Sequence, residues 1–400
     1  AEPRGPVYLS LPRETLAAAA PAGAQGGPPT QTPASPPAPD PAAIARAAEL
    51  LAAAARPLIV SSASRVGDRE SLGDLAQRFA LPVVEFWSPC QALGSEHGMH
   101  AGFDPGPRLA SADVVLVLDA PVPWIPSLHS LAADCQVIQM GPEPLFAELP
   151  LRGHRASMAV ACEVEAGLQA LAASLVERGD AAAARERAPE ALAAELMRDR
   201  EERRSRAAAP PQEGSLPRAW VSSVLSAQLD GEATVFNELG CSAEVMRFPR
   251  PGQLFGLSIA GALGWGLPAA LGAQLADRDR LVVATVGDGS YVFANPVACH
   301  QTAEALDLPV LTVVFNNRGW GAVRGATLGL YPDGAAARAG RMPLSSVCPS
   351  PRFAQVVRAS GGHGETVASP AELPEALGRA LRAVREERRQ ALVDVRIDPV

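Results

Sequence analysis

Short apolar runs recur along this chain, and each is followed by a stretch long enough for a helix. Residues 57–61, 82–86, 113–118 and 136–140 form a first set; 234–237, 281–286, 309–315 and 392–397 form a second. Runs this short, flanked by Pro, Gly and Asp, read as strands buried on both faces. Residues 42–55, 69–79 and 163–178 read as helices in the first set. In the second, Pro217 suits a first turn for a helix through 229, followed by helices at 267–276, 296–306 and 372–387. Continuous apolar strands alternating with helices build parallel sheets covered on both sides. The expected fold is therefore α/β: two three-layer α/β domains with mainly parallel sheets.

Composition narrows the chemistry. The chain has 400 residues, 48% of them hydrophobic, and a formal net charge of −8. All 35 basic residues are arginine. Without lysine there is no Schiff base and no Walker-type phosphate lysine. The acidic balance gives no nucleic-acid footprint. The six cysteines are scattered, without a C-x-x-C pair, which argues against a disulfide framework or structural zinc. No run is apolar enough to span a membrane and no signal peptide is recognisable, so a cytoplasmic location is expected. Residues 6–11 read as a lone strand, and 21–41, rich in Pro, Gly, Ser and Thr, as a linker. A strand without partners, on a chain that begins at Ala1, suggests a portion of a longer protein. Residues 179–214, rich in Ala, Arg and Glu, read as a solvated helical connector.

Two strands of the second set end in polar tips. The first tip is Gly287-Asp288-Gly289-Ser290, the second Asn316-Asn317-Arg318-Gly319, one β-α-β crossover later. Ligands of parallel sheets sit beyond the carboxyl ends of the strands. Asp288 and Asn317 would meet there as a hard oxygen pair suited to Mg²⁺ or Ca²⁺. Two side chains do not complete an octahedron, so phosphate oxygens, as of a diphosphate, are implied. Gly287 and Gly289 would allow close backbone approach, and a helix after Ser290 would present N–H groups to the anion. The plainer reading makes each tip an ordinary turn or cap; their pairing at crossover spacing favours the metal.

This segment, from Gly-Asp-Gly to Asn-Asn, resembles the diphosphate motif of thiamine-diphosphate (ThDP) enzymes. The stretch from Ser258 through Gly261 and Leu263 to Ala270 resembles their cofactor-binding turn and helix. The whole chain is similar to the acetolactate synthase and benzoylformate decarboxylase group. The resemblance implies a remnant of a pyrimidine-binding domain at 1–20, a linker at 21–41, a middle domain at 42–175, a connector at 176–216 and a diphosphate-binding domain at 217–400. It implies ThDP and Mg²⁺ as cofactors. Asp288 and Asn317 would ligate Mg²⁺ by side chain and Gly319 by its carbonyl. Gly261 would hold the aminopyrimidine, Leu263 would bend the cofactor, and Ser290 would touch the diphosphate; for Leu263 ordinary core packing is the alternative.

The interval from Asp288 to Asn317 is slightly long for the family, which predicts an extra turn or bulge near Asn295-Pro296. The family's catalytic glutamate belongs to the pyrimidine-binding domain, and no glutamate here matches it. The activity implied is decarboxylation of a 2-oxo acid with carboligation of the acetolactate synthase type, or else simple decarboxylation of the benzoylformate decarboxylase type, in a homo-oligomer with sites between subunits. A non-catalytic cofactor-binding or assembly module is the alternative of another class. A Rossmann-type NAD protein is weaker, lacking the glycine fingerprint; the same lack argues against bound FAD beside Asp119. Asn237-Glu238 reads as pocket floor or helix cap. Trp320 and Arg324 could bound the substrate pocket, with a structural ion pair as the other reading of Arg324. His97 and His100 lack a third metal ligand, and His300 reads as core or interface.

Overall fold

The computed structural model describes residues 8–399 apart from 21, 24–26, 28–31, 33–36, 64, 180–187, 257–258, 340–341 and 343. Two all-parallel sheets organise it. The first contains β1 (Pro57–Ser61), β2 (Val83–Val84), β3 (Val114–Leu118), β4 (Gln136–Gly141) and β5 (Met158–Ala161), in the order β2-β1-β3-β4-β5. The second contains β6 (Thr234–Glu238), β7 (Leu254–Gly256), β8 (Val282–Gly287), β9 (Leu311–Phe315), β10 (His363–Val367) and β11 (Ala391–Val395), in the order β10-β11-β9-β8-β6-β7.

Alternation along the strands divides each core in two. In the first sheet Ile59, Leu116 and Ile138 face helices Pro41–Ala53, Val66–Phe79 and Val164–Glu177. Leu58, Val60, Val115 and Val137 face the opposite way, onto Leu109, Trp124 and their neighbours. That second cover is mostly irregular chain, with one short helix at Gly106–Leu109. In the second sheet Val235, Val283 and Val313 pack on helices Arg218–Leu229 and Leu373–Arg385. Phe236, Ala284 and Val314 pack on helices Gly266–Ala276, Pro296–Ala305 and Phe353–Arg358. Each such Val, Leu, Ile or Phe, when fully buried, contributes about 1.5–3 kcal/mol.

Several expectations change. Residues 8–11 form no strand; they are exposed and lead into a short helix, Arg13–Ala17, while residues 6 and 7 lie outside the described residues. The expected strand at 82–86 shrinks to Val83–Val84. β5, β7 and β10 were not foreseen. The connector is not merely solvated either. Its helix, Pro189–Ala208, buries Arg200 and Arg204. Arg200 donates to the carbonyls of His97 and His100 in the first unit. Arg204 donates to Glu96 at 2.6 Å and to the Met246 carbonyl of the second unit at 3.2 Å. Direct pairing completes this junction, with Cys90 bridging antiparallel to Phe255 and the Ser95 N–H donating to the Phe248 carbonyl at 2.7 Å.

Arg204→Ala removes one hydrogen-bond donor from Glu96, which keeps Arg247 and Ser95, and the guanidinium donor from the Met246 carbonyl. It should cost about 1–3 kcal/mol in equilibrium urea denaturation.

Candidate cofactor and metal site

Register carries the polar tips to one edge. Glu238 pairs with Val286, and Gly287 with Phe315, so β6, β8 and β9 end side by side. The chain leaves β6 toward β7 on one side and reaches β9 on the other, making the β6/β8 boundary a switch point of the sheet. Asp288 follows β8 directly, 3% exposed. Its Oδ1 accepts the Gly289 N–H at 3.0 Å and its Oδ2 accepts the Gly319 N–H at 3.0 Å. The Asn317 Oδ1 accepts that same Gly319 N–H, again at 3.0 Å. One nitrogen thus gathers an oxygen from each tip.

Burial pushes the Asp288 carboxyl above its ordinary value, and only peptide N–H groups hold it down. Among the described residues no basic side chain forms an ion pair with it. A buried carboxylate without a cation, beside an amide oxygen, is a donor set that fits a divalent metal. Among the described residues no three His, Cys, Asp or Glu side chains cluster as a metal site, so further ligands would be carbonyls, water or phosphate. The Gly319 carbonyl accepts the Gly321 N–H at 2.9 Å and keeps a second lone pair.

The crossover breaks near the expected place. Asn295 is left-handed, at φ 52°, and separates helix Asp288–Phe293 from helix Pro296–Ala305. The first helix starts at Asp288 and not after Ser290, which corrects the expected N-terminus. Ser290 is buried within that helix. A Cβ on Gly289 would lie 2.3 Å from the Trp320 ring, so glycine is required there by Trp320. Gly287 meets only ordinary contacts within the chain and needs no such freedom.

Glu238 has a larger role than the sequence suggested. Its carboxylate is wholly buried; Oε1 accepts the Gly264 N–H at 2.5 Å and Oε2 the Gly266 N–H at 2.6 Å. It therefore caps helix Gly266–Ala276 from another strand and pins the turn before it. Gly264, at φ 89°, also lies against the Phe293 backbone, where a Cβ would sit 2.7 Å away. Gly261 has φ 69° and is exposed, and Leu263 is half-buried and belongs to none of the buried apolar clusters. Ser258 lies outside the described residues. Arg324 is half-buried on helix Gly321–Leu330. His300 is core: its ring binds the Tyr291 hydroxyl at 2.8 Å and Gln390 Oε1 at 2.7 Å.

A cleft of about 580 Å³ is lined by Thr234, Leu281 and Pro309 at the opposite ends of these strands. Position beyond the carboxyl ends, and not size, identifies the site.

An all-parallel sheet with a switch-point crevice and an acidic, glycine-flanked tip defines a cofactor-binding α/β enzyme unit. Comparison with known proteins carries this further. Residues 238–395 match the family described as thiamine pyrophosphate enzyme, C-terminal TPP binding domain. A probable 2-ketoarginine decarboxylase of Pseudomonas aeruginosa is 29% identical over 85% of this chain and 58% of its own length. Benzoylformate decarboxylase of the same organism is 27% identical over 80% of this chain and 59% of its own. The large subunit of acetolactate synthase isozyme 3 of Escherichia coli is 33% identical over 42% of this chain and 28% of its own. The crystal structure of benzoylformate decarboxylase from Polynucleobacter necessarius superposes with a TM-score of 0.72 at 19% identity, covering 99% of this chain and 71% of that one. Residues 238–395 are thus a TPP-binding domain of the thiamine pyrophosphate enzymes, with ThDP as its cofactor, and the chain as a whole is similar to the acetolactate synthase and benzoylformate decarboxylase group. It spans less than two thirds of the length of these curated relatives.

Two outcomes test the site. Glu238→Ala leaves the Gly264 and Gly266 N–H groups unpaired. It should cost about 2–4 kcal/mol in thermal or urea denaturation, with faster hydrogen exchange at both amides. Because the folded Asp288 carboxyl binds its proton more tightly than the unfolded one, stability of the metal-free chain should fall as pH rises from the ordinary value of 3.8 through the raised one. Asp288→Asn should flatten that part of the pH–stability curve; an unchanged curve would remove Asp288 as its source.

Proposed function

We propose that this chain is the middle and C-terminal part of a ThDP- and Mg²⁺-dependent enzyme that decarboxylates a 2-oxo acid. The observation that carries the reading is the Gly319 N–H shared by Asp288 and Asn317, which joins the two tips into one hard-oxygen site. Coverage supports decarboxylation: the relatives above that match most of the chain are named as decarboxylases. Carboligation of the acetolactate synthase type is the second reading, favoured by the higher local identity to that enzyme.

Bound ThDP supplies the electron sink that lets a 2-oxo acid lose CO₂. The chain's own residues hold and exclude. Asp288 and Asn317 would ligate Mg²⁺ by side chain, with the Gly319 carbonyl as a third donor, and Ser290 would contact the diphosphate. Glu238 fixes the Gly264–Gly266 turn, and with it Gly261 and Leu263, which would hold the aminopyrimidine. Leu263 acts as an apolar wedge, consistent with its place outside the buried clusters. Trp320, packed on Gly289 and edge-on to Phe293 at 5.6 Å, closes the tip against water. The proton-moving glutamate of the family is supplied by a pyrimidine-binding domain in the longer protein, and active sites form between subunits of a homo-oligomer.

Calorimetry should show Mg²⁺-dependent ThDP binding to the 400-residue chain. Asp288→Ala should abolish it while circular dichroism stays unchanged; equal affinity in the variant would sink the metal assignment. In the longer parent protein, Leu263→Ala should lower turnover of a 2-oxo acid at least tenfold and ThDP affinity much less. Equal losses would make Leu263 ordinary packing. CO₂ release from pyruvate by the isolated chain would show that no second domain is needed.

A further inference from the structure

Arg218 opens helix Arg218–Leu229 and reaches the loop that leaves β6. It is half-buried, and its Nη1 donates to the Leu239 carbonyl at 2.6 Å and to the Gly240 carbonyl at 3.0 Å. Among the described residues no carboxylate pairs with it, and its Nε and Nη2 donate to no protein group. Neither nitrogen is among the buried polar atoms left without a partner, so both are open to a ligand. The position is built from several sides. Ser222 Oγ donates to the Arg218 carbonyl at 2.7 Å and accepts the Ser242 N–H at 2.9 Å, tying the helix to the loop. A Cβ on Gly240 would lie 2.3 Å from the Thr285 backbone, so the loop is pressed against β8. Leu239, left-handed at φ 58°, bridges to Val286. Its carbonyl, which Arg218 grips, lies 3.6 Å from where a Cβ on Gly287 would stand. A single carbonyl therefore separates the guanidinium from the residue that precedes Asp288.

Two kinds of positive charge then share one edge of the sheet. Burial pushes the Arg218 guanidinium below the ordinary arginine value, while the charges of Cys241 and Asp288 oppose that shift. Asp288 makes no ion pair with it; the Asp288 oxygens accept peptide N–H groups instead. A divalent ion on Asp288 and Asn317 would repel an unpaired guanidinium placed so near. Anionic oxygens that reach both remove that repulsion, and the planar fork of a guanidinium matches phosphate oxygens. A monoanion confined to the metal leaves Arg218 unpaired. A diphosphate has the charge and the length for both.

We infer that Arg218 is a second anchor for the diphosphate of ThDP, holding phosphoryl oxygens that the metal does not take. The inference rests on the preceding reading of the metal and cofactor site, and adds to it a residue from outside the two tips. Metal and anion are titrated apart, so failure of Arg218 and failure of the metal site are separable.

Three titrations of the 400-residue chain read binding and not turnover. Mn²⁺ alone, standing in for Mg²⁺, is followed by electron paramagnetic resonance. Inorganic pyrophosphate in EDTA, and ThDP with Mg²⁺, are followed by calorimetry. Arg218→Gln should weaken pyrophosphate and ThDP at least tenfold and leave Mn²⁺ affinity within twofold. Arg218→Lys keeps the charge and loses the fork, so its affinities should fall between the two. Should Arg218→Gln not fold, Arg218→Lys carries the test, with at least a threefold loss expected. Asp288→Ala should lose Mn²⁺, yet its pyrophosphate binding in EDTA should persist and still respond to Arg218→Gln. Full affinity for pyrophosphate and ThDP in the folded Arg218 variants would overturn the assignment. A matching loss of Mn²⁺ affinity would overturn it too, by making Arg218 a structural residue. Absence of pyrophosphate binding to the unaltered chain overturns it whatever Mn²⁺ does. Pyrophosphate binding that depends on Arg218, without any Mn²⁺ binding, would support Arg218 and remove the metal reading.

Discussion

The peptide N–H of Gly319 is the point on which the site depends. It lies between the oxygens of Asp288 and Asn317, and neither tip alone would place them together. Its own position is held from behind. Asn316 Nδ2 donates to the buried Asp394 at 2.7 Å, Arg318 turns left-handed at φ 62°, and the Trp320 N–H donates to the Ser345 carbonyl at 2.8 Å. The first asparagine of the pair is thus a clamp and the second is free for a ligand. Burial raises the Asp394 carboxyl, while the Asn316 amide and Arg396 oppose that shift. A polar interior of this kind holds one geometry when its members are satisfied.

Much of the architecture was legible because buried parallel strands are written as unbroken apolar runs. β1, β3, β8 and β9 are wholly or almost wholly buried, and each was located within a residue or two. β5, β7 and β10 escaped because they are edge strands, short or mixed in burial, with Met158, Gly256 and His363 at their ends. Edge positions need less apolar sequence, so they leave a weaker trace. Residues 8–11 show the reverse: among the described residues that part of the expected strand finds no partner and stays irregular.

The site was legible where chemistry is local and hidden where it is made by packing. Asp288 and Asn317 announce themselves by following strands. Glu238 ends a strand, but its two N–H partners lie on a distant turn and have no side chain to signal them. The need for glycine at 289 comes from Trp320, a contact that spacing does not reveal. Arg200 and Arg204 sit in a run of charge that reads as a water-covered helix. The carbonyls of His97, His100 and Met246, with the Glu96 carboxylate, draw them inside.

Those two arginines bear on how the molecule comes apart. Topology counts two sheets, but the helix between them spends its guanidinium groups on carbonyls of both. Loosening either sheet would strand buried cationic groups on the other, a penalty neither can shed alone. The two units are therefore tied through the same buried guanidinium groups, and a cut between them would expose those groups on one side and their carbonyl partners on the other. The connector is better regarded as a common piece of core, built from charge where most cores are built from hydrocarbon.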